Sequence, residues 1–152
     1  MSMLYFAYGS NMYSTRMCKR APSAVVIGTA CLHYHHVVCN KLGQDGTAKA
    51  NIVPQRNAAT YGVLYKISAN EMELLDTEET GYRRVEKMIL NHLNQKVHAQ
   101  TYVAFQLTHQ PVTTAWYKSL MIQGATEHGL PDHYIHVLER LPATGQTLKP
   151  DA

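Results

Sequence analysis

The sequence predicts a single α+β domain built on an antiparallel or mixed sheet. Strand patterns dominate the first two thirds of the 152 residues, and helical patterns occur once early, once in the middle and twice near the end. The predicted strands are joined by turns rather than by long crossover helices, which favours antiparallel pairing. With 45% apolar and 16% charged residues, the chain can bury one hydrophobic core but is too short for a second domain.

The first predicted elements are a strand, a helix and a long extended segment. Residues 4–8 are apolar and aromatic, as in a buried strand, and Gly9 allows a sharp exit from it. A short helix is expected over 12–19, closed before Pro22 because proline disfavours helix in the residue preceding it. Residues 23–39 predict two strands or one long bent strand.

A loop and two strands are expected next. Segment 40–49 contains two glycines and little apolar content, which predicts a surface loop. Residues 50–53 predict a short strand that Pro54 ends, and residues 60–67 predict another strand. None of these segments changes composition enough to suggest a domain boundary.

The middle of the chain predicts a capped helix and a β-hairpin. Ser68 followed three residues later by Glu71 is a capping-box pattern, so a helix starts there and should end where Gly81 can take the left-handed C′ conformation. Residues 82–90 and 97–107 alternate between apolar and polar side chains and predict the hairpin.

Two helices complete the predicted domain. Thr113 or Thr114 can cap the first, and Pro142 ends the second, which carries an apolar face. We therefore expect one domain over residues 1–142 and a flexible tail over 143–152.

Composition argues against several classes of partner. The formal net charge of +3 comes from scattered basic residues, whereas a nucleic-acid footprint needs a clustered stripe. Cys18, Cys31 and Cys39 cannot complete a disulfide framework, and Cys18 is expected to be a buried helix residue. The N-terminal apolar run is too short for a signal peptide or a membrane span. We expect a cytoplasmic protein that binds neither nucleic acid nor membranes.

The histidines suggest no metal centre. His33 and His35 could share one strand face, but no third ligand is evident among the scattered histidines elsewhere. We predict no metal and no cofactor.

The stretch Tyr8-Gly9-Ser10-Asn11 is the most informative for function. Ser10 and Asn11 are residue types that cap helices, so a strand should end here against a helix N-terminus. Such a turn leaves backbone N–H groups unpaired in one small volume, which suits a carboxylate or an oxyanion. The alternative is an ordinary strand-to-helix turn without a ligand.

An ordered series of motifs runs through almost the whole chain. Together these stretches resemble the γ-glutamylcyclotransferase family, within the AIG2/BtrG-like superfamily. The motifs are Tyr5-Phe6-Ala7-Tyr8-Gly9-Ser10-Asn11-Met12, Gly46-Thr47-Ala48 leading to Ala50-Asn51-Ile52, Tyr61-Gly62-Val63-Leu64-Tyr65, Leu75-Asp76-Thr77-Glu78-Glu79, Tyr82-Arg83-Arg84, and Gly124-Ala125-Thr126-Glu127-His128-Gly129-Leu130-Pro131.

The resemblance implies a fold and a reaction. The fold is a small, mixed but mainly antiparallel β-barrel with surrounding helices. The reaction is a cofactor-free cyclisation of the lyase class, in which the α-amine of a γ-glutamyl amide attacks its own γ-carbonyl and releases 5-oxoproline with an amino acid or amine. Because the connection 80–84 is shorter than in typical family members, the leaving group stays open among free amino acids, the remainder of glutathione, and larger amines. The oligomeric state, monomer or homodimer, is also left open.

The resemblance also assigns site residues. Asp76, Glu78 and Glu79 end the capped helix, where a partly desolvated carboxylate can exchange protons, although a solvated helix end is the alternative. The Leu-Asp-x-x-Glu spacing selects Glu79 as the catalytic carboxylate, with Glu78 as the fallback. This assignment requires Glu79 to share a cavity with the Gly9 turn. The substrate-binding residues it implies are Tyr5, Phe6, Ala7, Tyr8, Gly9, Ser10, Asn11 and Tyr117.

Two further expectations remain. Arg83 or Arg84 could pair with a substrate carboxylate, but at most one of them, because adjacent strand residues face opposite sides. The competing hypothesis for function is a non-catalytic module that binds a small ligand in the same pocket.

Overall fold

Five strands close into a barrel in the computed structural model, which describes residues 1–145. Around the barrel the order is β1, β3, β2, β4, β5, and β5 returns to β1 through a parallel pairing of Tyr5 with Gln100. The other neighbours pair antiparallel, so the predicted mixed, mainly antiparallel barrel is confirmed. The strands are β1 (Ser2–Ala7), β2 (Val25–Leu42), β3 (Ala48–Ser68), β4 (Tyr82–Asn91) and β5 (Lys96–Ala104).

Two long strands replace several shorter predicted ones. β2 and β3 span 18 and 21 residues, and the loop expected over 40–49 shrinks to the turn between them. The predicted strand end at Pro54 is wrong, because β3 continues through this residue. Pro54 lies opposite His35, where the register shifts and Tyr34 adopts a positive φ of 65°. This irregularity accommodates a residue that has no N–H to donate.

Helices fill the connections between strands. A 3₁₀ turn over Ser10–Met12 precedes the first α-helix, and no side chain caps either of them. The prediction that Ser10 and Asn11 are N-cap residues is therefore wrong, since both lie inside the 3₁₀ turn and Gly9 holds the cap position. The helices are α1 (Ser14–Arg20), α2 (Ala69–Glu78), α3 (Ala115–Glu127) and α4 (Asp132–Glu139).

The capped helix α2 begins and ends as predicted. The Ser68 hydroxyl accepts a hydrogen bond from the backbone N–H of Glu71 (3.1 Å), and Gly81 takes a φ of 83° after the last turn. The Glu71 carboxylate does not return to Ser68, because it accepts from the backbone N–H of Ser23 (2.8 Å). Within the helix, only the Ser68 half of the capping box forms. The Glu71 carboxylate instead connects α2 to Ser23, just before β2.

The C-terminal region contains the two predicted helices and one further strand pair. Thr114 caps α3 by accepting from the backbone N–H of Tyr117 (3.0 Å). Two short strands, β6 (Thr113–Thr114) and β7 (Ala143–Thr144), pair in parallel. The predicted tail 143–152 thus starts with a paired strand, and residues 146–152 lie outside the described part of the chain.

The core extends from the barrel interior to α3 and α4. Phe6, Leu64 and Tyr65 on the barrel strands are almost completely buried, while Met121 and Leu138 pack from the helices. Burial of this apolar surface supplies the main favourable free energy of folding.

One prediction about the cysteines is wrong. Cys18 is exposed on α1, so the expectation that it is buried is wrong. None of the three cysteines is in a disulfide. No helix within residues 1–145 combines the length and apolar character that a membrane span requires.

Candidate active site

A cavity of about 380 Å³ opens where the turn after β1, the end of α2 and the β2–β3 turn meet. Glu79 and Gly9 both line it, so the structure brings together the two features that the sequence required to share one space. The remaining lining residues come from six segments: Tyr5, Tyr8, Ser10 and Asn11; Arg16 and Arg20; Lys41, Gly43, Gln44, Asp45, Lys49 and Ala50; Glu78, Thr80 and Tyr82; Tyr102; and Trp116 and Tyr117.

Glu79 occupies the C-cap position of α2 and turns its carboxylate inward. The side chain is 16% exposed, and Oε1 accepts hydrogen bonds from Arg20 Nη1 (3.0 Å) and Asn11 Nδ2 (3.3 Å). Glu78 is 44% exposed and pairs with Arg20 Nε (2.9 Å). The more enclosed carboxylate of the two is therefore the one that the family motif selects.

Asn11 connects the carboxylate to the barrel wall. Its Nδ2 also donates to the Tyr5 hydroxyl (3.0 Å), and its Oδ1 accepts from Arg20 Nη1 (2.9 Å). Tyr5, Asn11, Glu79 and Arg20 form one polar network, in which each member fixes the orientation of another.

The opposite charges of Arg20 and the two glutamates attract each other, and the charge of Glu79 affects the pKa values of Arg20 and Tyr5. Burial alone would lower the pKa of the Arg20 guanidinium, but attraction to Glu79 and Glu78 outweighs burial and raises this pKa above its ordinary value. Burial, together with the nearby negative charge of Glu79, raises the pKa of Tyr5 well above its ordinary value. Tyr5 therefore keeps its phenolic proton at neutral pH.

Two backbone donors of the 3₁₀ turn are unpaired within residues 1–145, and they belong to residues that line the cavity. The N–H of Met12 donates to the carbonyl of Gly9 (3.1 Å), whereas the N–H groups of Ser10 and Asn11 have no acceptor among the described residues. The Tyr65 hydroxyl donates to the carbonyl of Asn11 (2.8 Å) and holds the turn from beneath. The unpaired donors that the sequence predicted are therefore present, but they belong to a 3₁₀ turn and not to the N-terminus of an α-helix.

Gly9 lies in a tightly packed position that the sequence did not suggest. Its φ of −107° is accessible to other residues. A Cβ at this position, however, would lie 3.1 Å from the Ala50 Cβ and 3.3 Å from the Tyr117 hydroxyl. Glycine lets the turn approach β3 and α3 closely.

Tyrosines form much of the wall and anchor to backbone groups. Tyr8 donates to the carbonyl of Tyr102 (2.6 Å), and Tyr82 donates to the carbonyl of Ala50 (2.6 Å). The Tyr117 hydroxyl accepts from the N–H of Ala50 (3.2 Å), and burial raises the pKa of Tyr117 to about 12. These phenols are neutral at physiological pH and serve as fixed polar groups.

Several predicted site residues lie where expected and two do not. Tyr5, Tyr8, Gly9, Ser10, Asn11 and Tyr117 line the cavity, as does Glu79. Phe6 and Ala7 are buried in the core and do not line the cavity. Phe6 instead packs its ring against β3 beside Gly62, where a Cβ would lie 2.8 Å from Phe6 Cε1.

The arginines of β4 do not reach the cavity. Arg84 Nη2 pairs with Asp76 Oδ2 (3.2 Å), and the Arg83 guanidinium lies over the Phe105 ring. The expectation that one of them faces a substrate carboxylate is wrong, because both are engaged elsewhere.

The cations of the cavity are residues that sequence reasoning missed. They come from α1 (Arg16, Arg20) and from the strands beside the β2–β3 turn (Lys41, Lys49). The spacing of Arg16 and Arg20 carried a usable signal, since residues at i and i+4 share one helix face and this helix directly follows the turn. Within residues 1–145, no three His, Cys, Asp or Glu side chains are grouped as metal ligands.

Comparison with known proteins places the chain in a family. The model of the AIG2-like family matches residues 59–138, more than half of the sequence, and the chain belongs to this family. It is similar to the γ-glutamylcyclotransferases of Homo sapiens (27% identity over 97% of this chain and 83% of the relative) and Bos taurus (29% identity, 88% and 75%). The predicted resemblance to the γ-glutamylcyclotransferase family is confirmed.

Solved structures show the same fold. A structure named γ-glutamyl cyclotransferase superposes with a TM-score of 0.90 at 24% identity, covering 99% of this chain and 94% of the other. A crystal structure of an uncharacterized protein from Homo sapiens gives the same TM-score and coverage at 26% identity.

Proposed function

We propose that this protein is a γ-glutamylcyclotransferase, which cyclises a small γ-glutamyl amide and releases 5-oxoproline with an amino acid or amine. The observation that carries this proposal is the enclosed Glu79 carboxylate in one cavity with the donor-bearing turn of Gly9 to Asn11. The names of the similar mammalian proteins support the same reaction class. A cytoplasmic location agrees with three cysteines that form no disulfide.

The reaction needs a base at the substrate amine. The α-ammonium of the γ-glutamyl group must lose a proton before it attacks the γ-carbonyl, and attack within one molecule avoids the entropic cost of bringing two reactants together. Both hydrogen bonds to Glu79 fall on Oε1, and Oε2 has no hydrogen-bond donor among the described residues. Oε2 is therefore the atom that we assign to accept the proton.

The remaining steps use the turn and the same carboxyl group. As the new C–N bond forms, negative charge develops on the carbonyl oxygen, and the N–H groups of Ser10 and Asn11 can stabilise it or hold the substrate carboxylate. Collapse of the intermediate breaks the original amide bond. Glu79 then gives its proton to the departing nitrogen, which leaves as a neutral amine. The ring nitrogen loses its second proton through Glu79 to the released amine, so two protons pass from the attacking to the leaving nitrogen and no cofactor is needed.

The first prediction tests this assignment by product detection. Native protein is expected to release 5-oxoproline, identified by mass, from at least one member of a panel of γ-glutamyl compounds. Glu79→Gln keeps the shape of the side chain but removes the base, and we expect kcat to fall by about 100-fold or more.

The matched control is Glu73→Gln, an exposed residue on the same helix. It should retain native activity, and circular dichroism should be unchanged in both variants. Full activity of Glu79→Gln would refute its role as the base. Saturable binding of panel compounds with no product from any of them would refute the enzyme in favour of a binding module.

A further inference from the structure

We propose that Lys41 is a specificity-determining residue, whose ammonium group binds a carboxylate on the leaving group of the γ-glutamyl substrate. This inference rests on the proposed function and deepens it, because it distinguishes leaving amino acids from leaving amines that have no carboxylate.

Lys41 is a cation enclosed in the cavity without an anionic partner. The residue is 6% exposed, near the end of β2, and its Nζ lies 5.0 Å from the centroid of the Tyr82 ring. Among the described residues, no carboxylate lies within 4.0 Å of this nitrogen, and it donates no hydrogen bond. A buried lysine is normally paired, since enclosure disfavours an uncompensated charge.

Two neighbouring cations differ from Lys41 in this respect. Arg20 is neutralised by Glu78 and Glu79, and Lys49 is paired with Asp45 (3.2 Å). An anion entering the cavity would have to displace a partner from either of them. An anion could bind Lys41 without displacing a carboxylate from it.

Packing holds the Lys41 side chain in this position. Its Cε lies 2.8 Å from where a Cβ on Gly81 would be, so the lysine stem packs closely against the Gly81 backbone. The aromatic face of Tyr82 supplies a weak attraction to the ammonium group that a carboxylate can supplement. The cation is thus fixed in place before a ligand arrives, which reduces the entropic cost of binding.

The position of Lys41 favours the leaving group over the glutamyl group. The glutamyl amine must reach Glu79, where the N–H groups of the turn and Asn11 are also located. Lys41 enters the lining from the end of β2, close in sequence to Gly43 and Gln44, and its ammonium group faces the Tyr82 ring. A substrate whose glutamyl end contacts the Gly9 turn would direct its leaving group toward the end of β2, where Lys41 is located.

The test compares two substrates that differ by one carboxylate. These are γ-L-glutamyl-L-alanine and γ-L-glutamyl-ethylamide, and the readout is the ratio of their kcat/KM values. We expect native protein to prefer the alanine compound. Lys41→Met, which keeps side-chain length but removes the charge, should lower this ratio by about 10- to 100-fold, the usual effect of losing a hydrogen bond to a charged group.

Two further variants serve as controls. Lys41→Arg retains the positive charge and should restore much of the ratio. Lys66→Met replaces an exposed lysine of β3 that is not part of the cavity lining, and it should leave both kcat/KM values unchanged. Thermal unfolding of each variant verifies that the fold is retained.

The outcomes separate this inference from the proposed function. If native protein turns over both substrates with equal kcat/KM, or if Lys41→Met lowers both values equally, the inference is overturned while the cyclotransferase assignment stands. If native protein releases 5-oxoproline from neither substrate and from no other panel member, both fail.

Discussion

Arg20 is the residue that links the proposed base to the rest of the cavity. Its guanidinium contacts Glu78, Glu79 and Asn11 at once, each within 3.0 Å. The Arg20 and Glu79 side chains are 20% and 16% exposed, so solvent screens this pair less than a surface ion pair. Removing one partner would leave the other charge enclosed without compensation.

We therefore predict that Arg20→Met lowers the free energy of unfolding by about 1 to 3 kcal/mol at pH 7. In the double variant Arg20→Met with Glu79→Gln, part of this loss should be recovered, because the enclosed Glu79 carboxylate no longer carries an uncompensated charge and Glu78 is 44% exposed. Chemical denaturation of the native protein, both single variants and the double variant measures the coupling free energy directly.

The control for this cycle is Lys19→Met, an exposed neighbour on α1 that contacts neither carboxylate. It should change the free energy of unfolding by no more than about 0.5 kcal/mol. Additive effects of Arg20→Met and Glu79→Gln would show that the ion pair contributes nothing to stability.

At this scale, the sequence predicts residues whose role depends on a local motif. Glu79 follows from the spacing at the end of a capped helix together with the family resemblance. Neither Arg20 nor Lys41 belongs to such a motif: Arg20 is indicated only by its i, i+4 spacing from Arg16, and Lys41 lies in a segment that the sequence predicts as a surface loop. Their burial arises only when segments distant in sequence pack together, and Arg20 lies 59 residues from Glu79.

Among the secondary-structure elements, α1 is unusual in how its N-terminus is satisfied. Tyr13 occupies the N-cap position and makes no side-chain hydrogen bond there. The carboxylate of Glu127, the last residue of α3, instead accepts from the backbone N–H of Ser14 (3.1 Å) and from the Ser14 hydroxyl. A residue of one helix thus replaces the missing cap of another, and the negative charge suits a helix N-terminus.

We predict that Glu127→Ala destabilises the protein by about 1 kcal/mol at pH 7, the usual effect of losing a cap. Burial alone would raise the pKa of Glu127, but the hydrogen bonds from Ser14 outweigh it and lower this pKa below its ordinary value of 4.5. A lowered pKa means that the stabilisation is present above pH 4.5 and is lost as the pH falls through the lowered value.

The free energies of unfolding of native protein and Glu127→Ala should therefore approach each other as the pH falls below 4.5. Denaturant titrations at pH 7 and pH 3 provide the measurement, and the exposed Glu86→Ala on β4 serves as the control at both values. A difference between native and variant that does not depend on pH would contradict an ionised cap.

Sequence reasoning was most successful for elements with explicit end signals. Ser68, Gly81 and Thr114 mark helix ends in the structure as they do in the sequence. It was wrong at Pro54, because a proline in a strand is tolerated where the partner strand is irregular, and no local pattern reveals the partner.

At the scale of the whole molecule, closure of the barrel depends on pairings that periodicity cannot predict. Alternation identifies strands and their faces, but the parallel contact between β1 and β5 joins residues 95 positions apart, Tyr5 and Gln100. The barrel was predicted from the ordered family motifs alone. Those motifs include Gly62 and Gly124, where an added Cβ would lie no more than 2.5 Å from a backbone atom of a neighbouring segment.

Gly124 is the motif glycine that couples the helical layer to the cavity. A Cβ added there would lie 2.5 Å from the backbone carbon of Met12 and 2.5 Å from the backbone nitrogen of Tyr13. α3 therefore packs directly on the backbone of the turn that provides the N–H groups of Ser10 and Asn11. Backbone atoms cannot rotate away, so any side chain at position 124 must displace the turn, the helix or both.

We predict that Gly124→Ala lowers the free energy of unfolding by about 1 to 3 kcal/mol, the usual cost of overpacking. It should also lower kcat/KM for 5-oxoproline release, although Gly124 is not part of the cavity lining. The control is Gln123→Ala, which introduces alanine at an exposed position of the same helix and so tests the effect of helix propensity alone. It should leave activity unchanged. If Gly124→Ala loses stability but keeps native kcat/KM, the position of the turn is not important for catalysis, and its donors must be removed from the proposed mechanism.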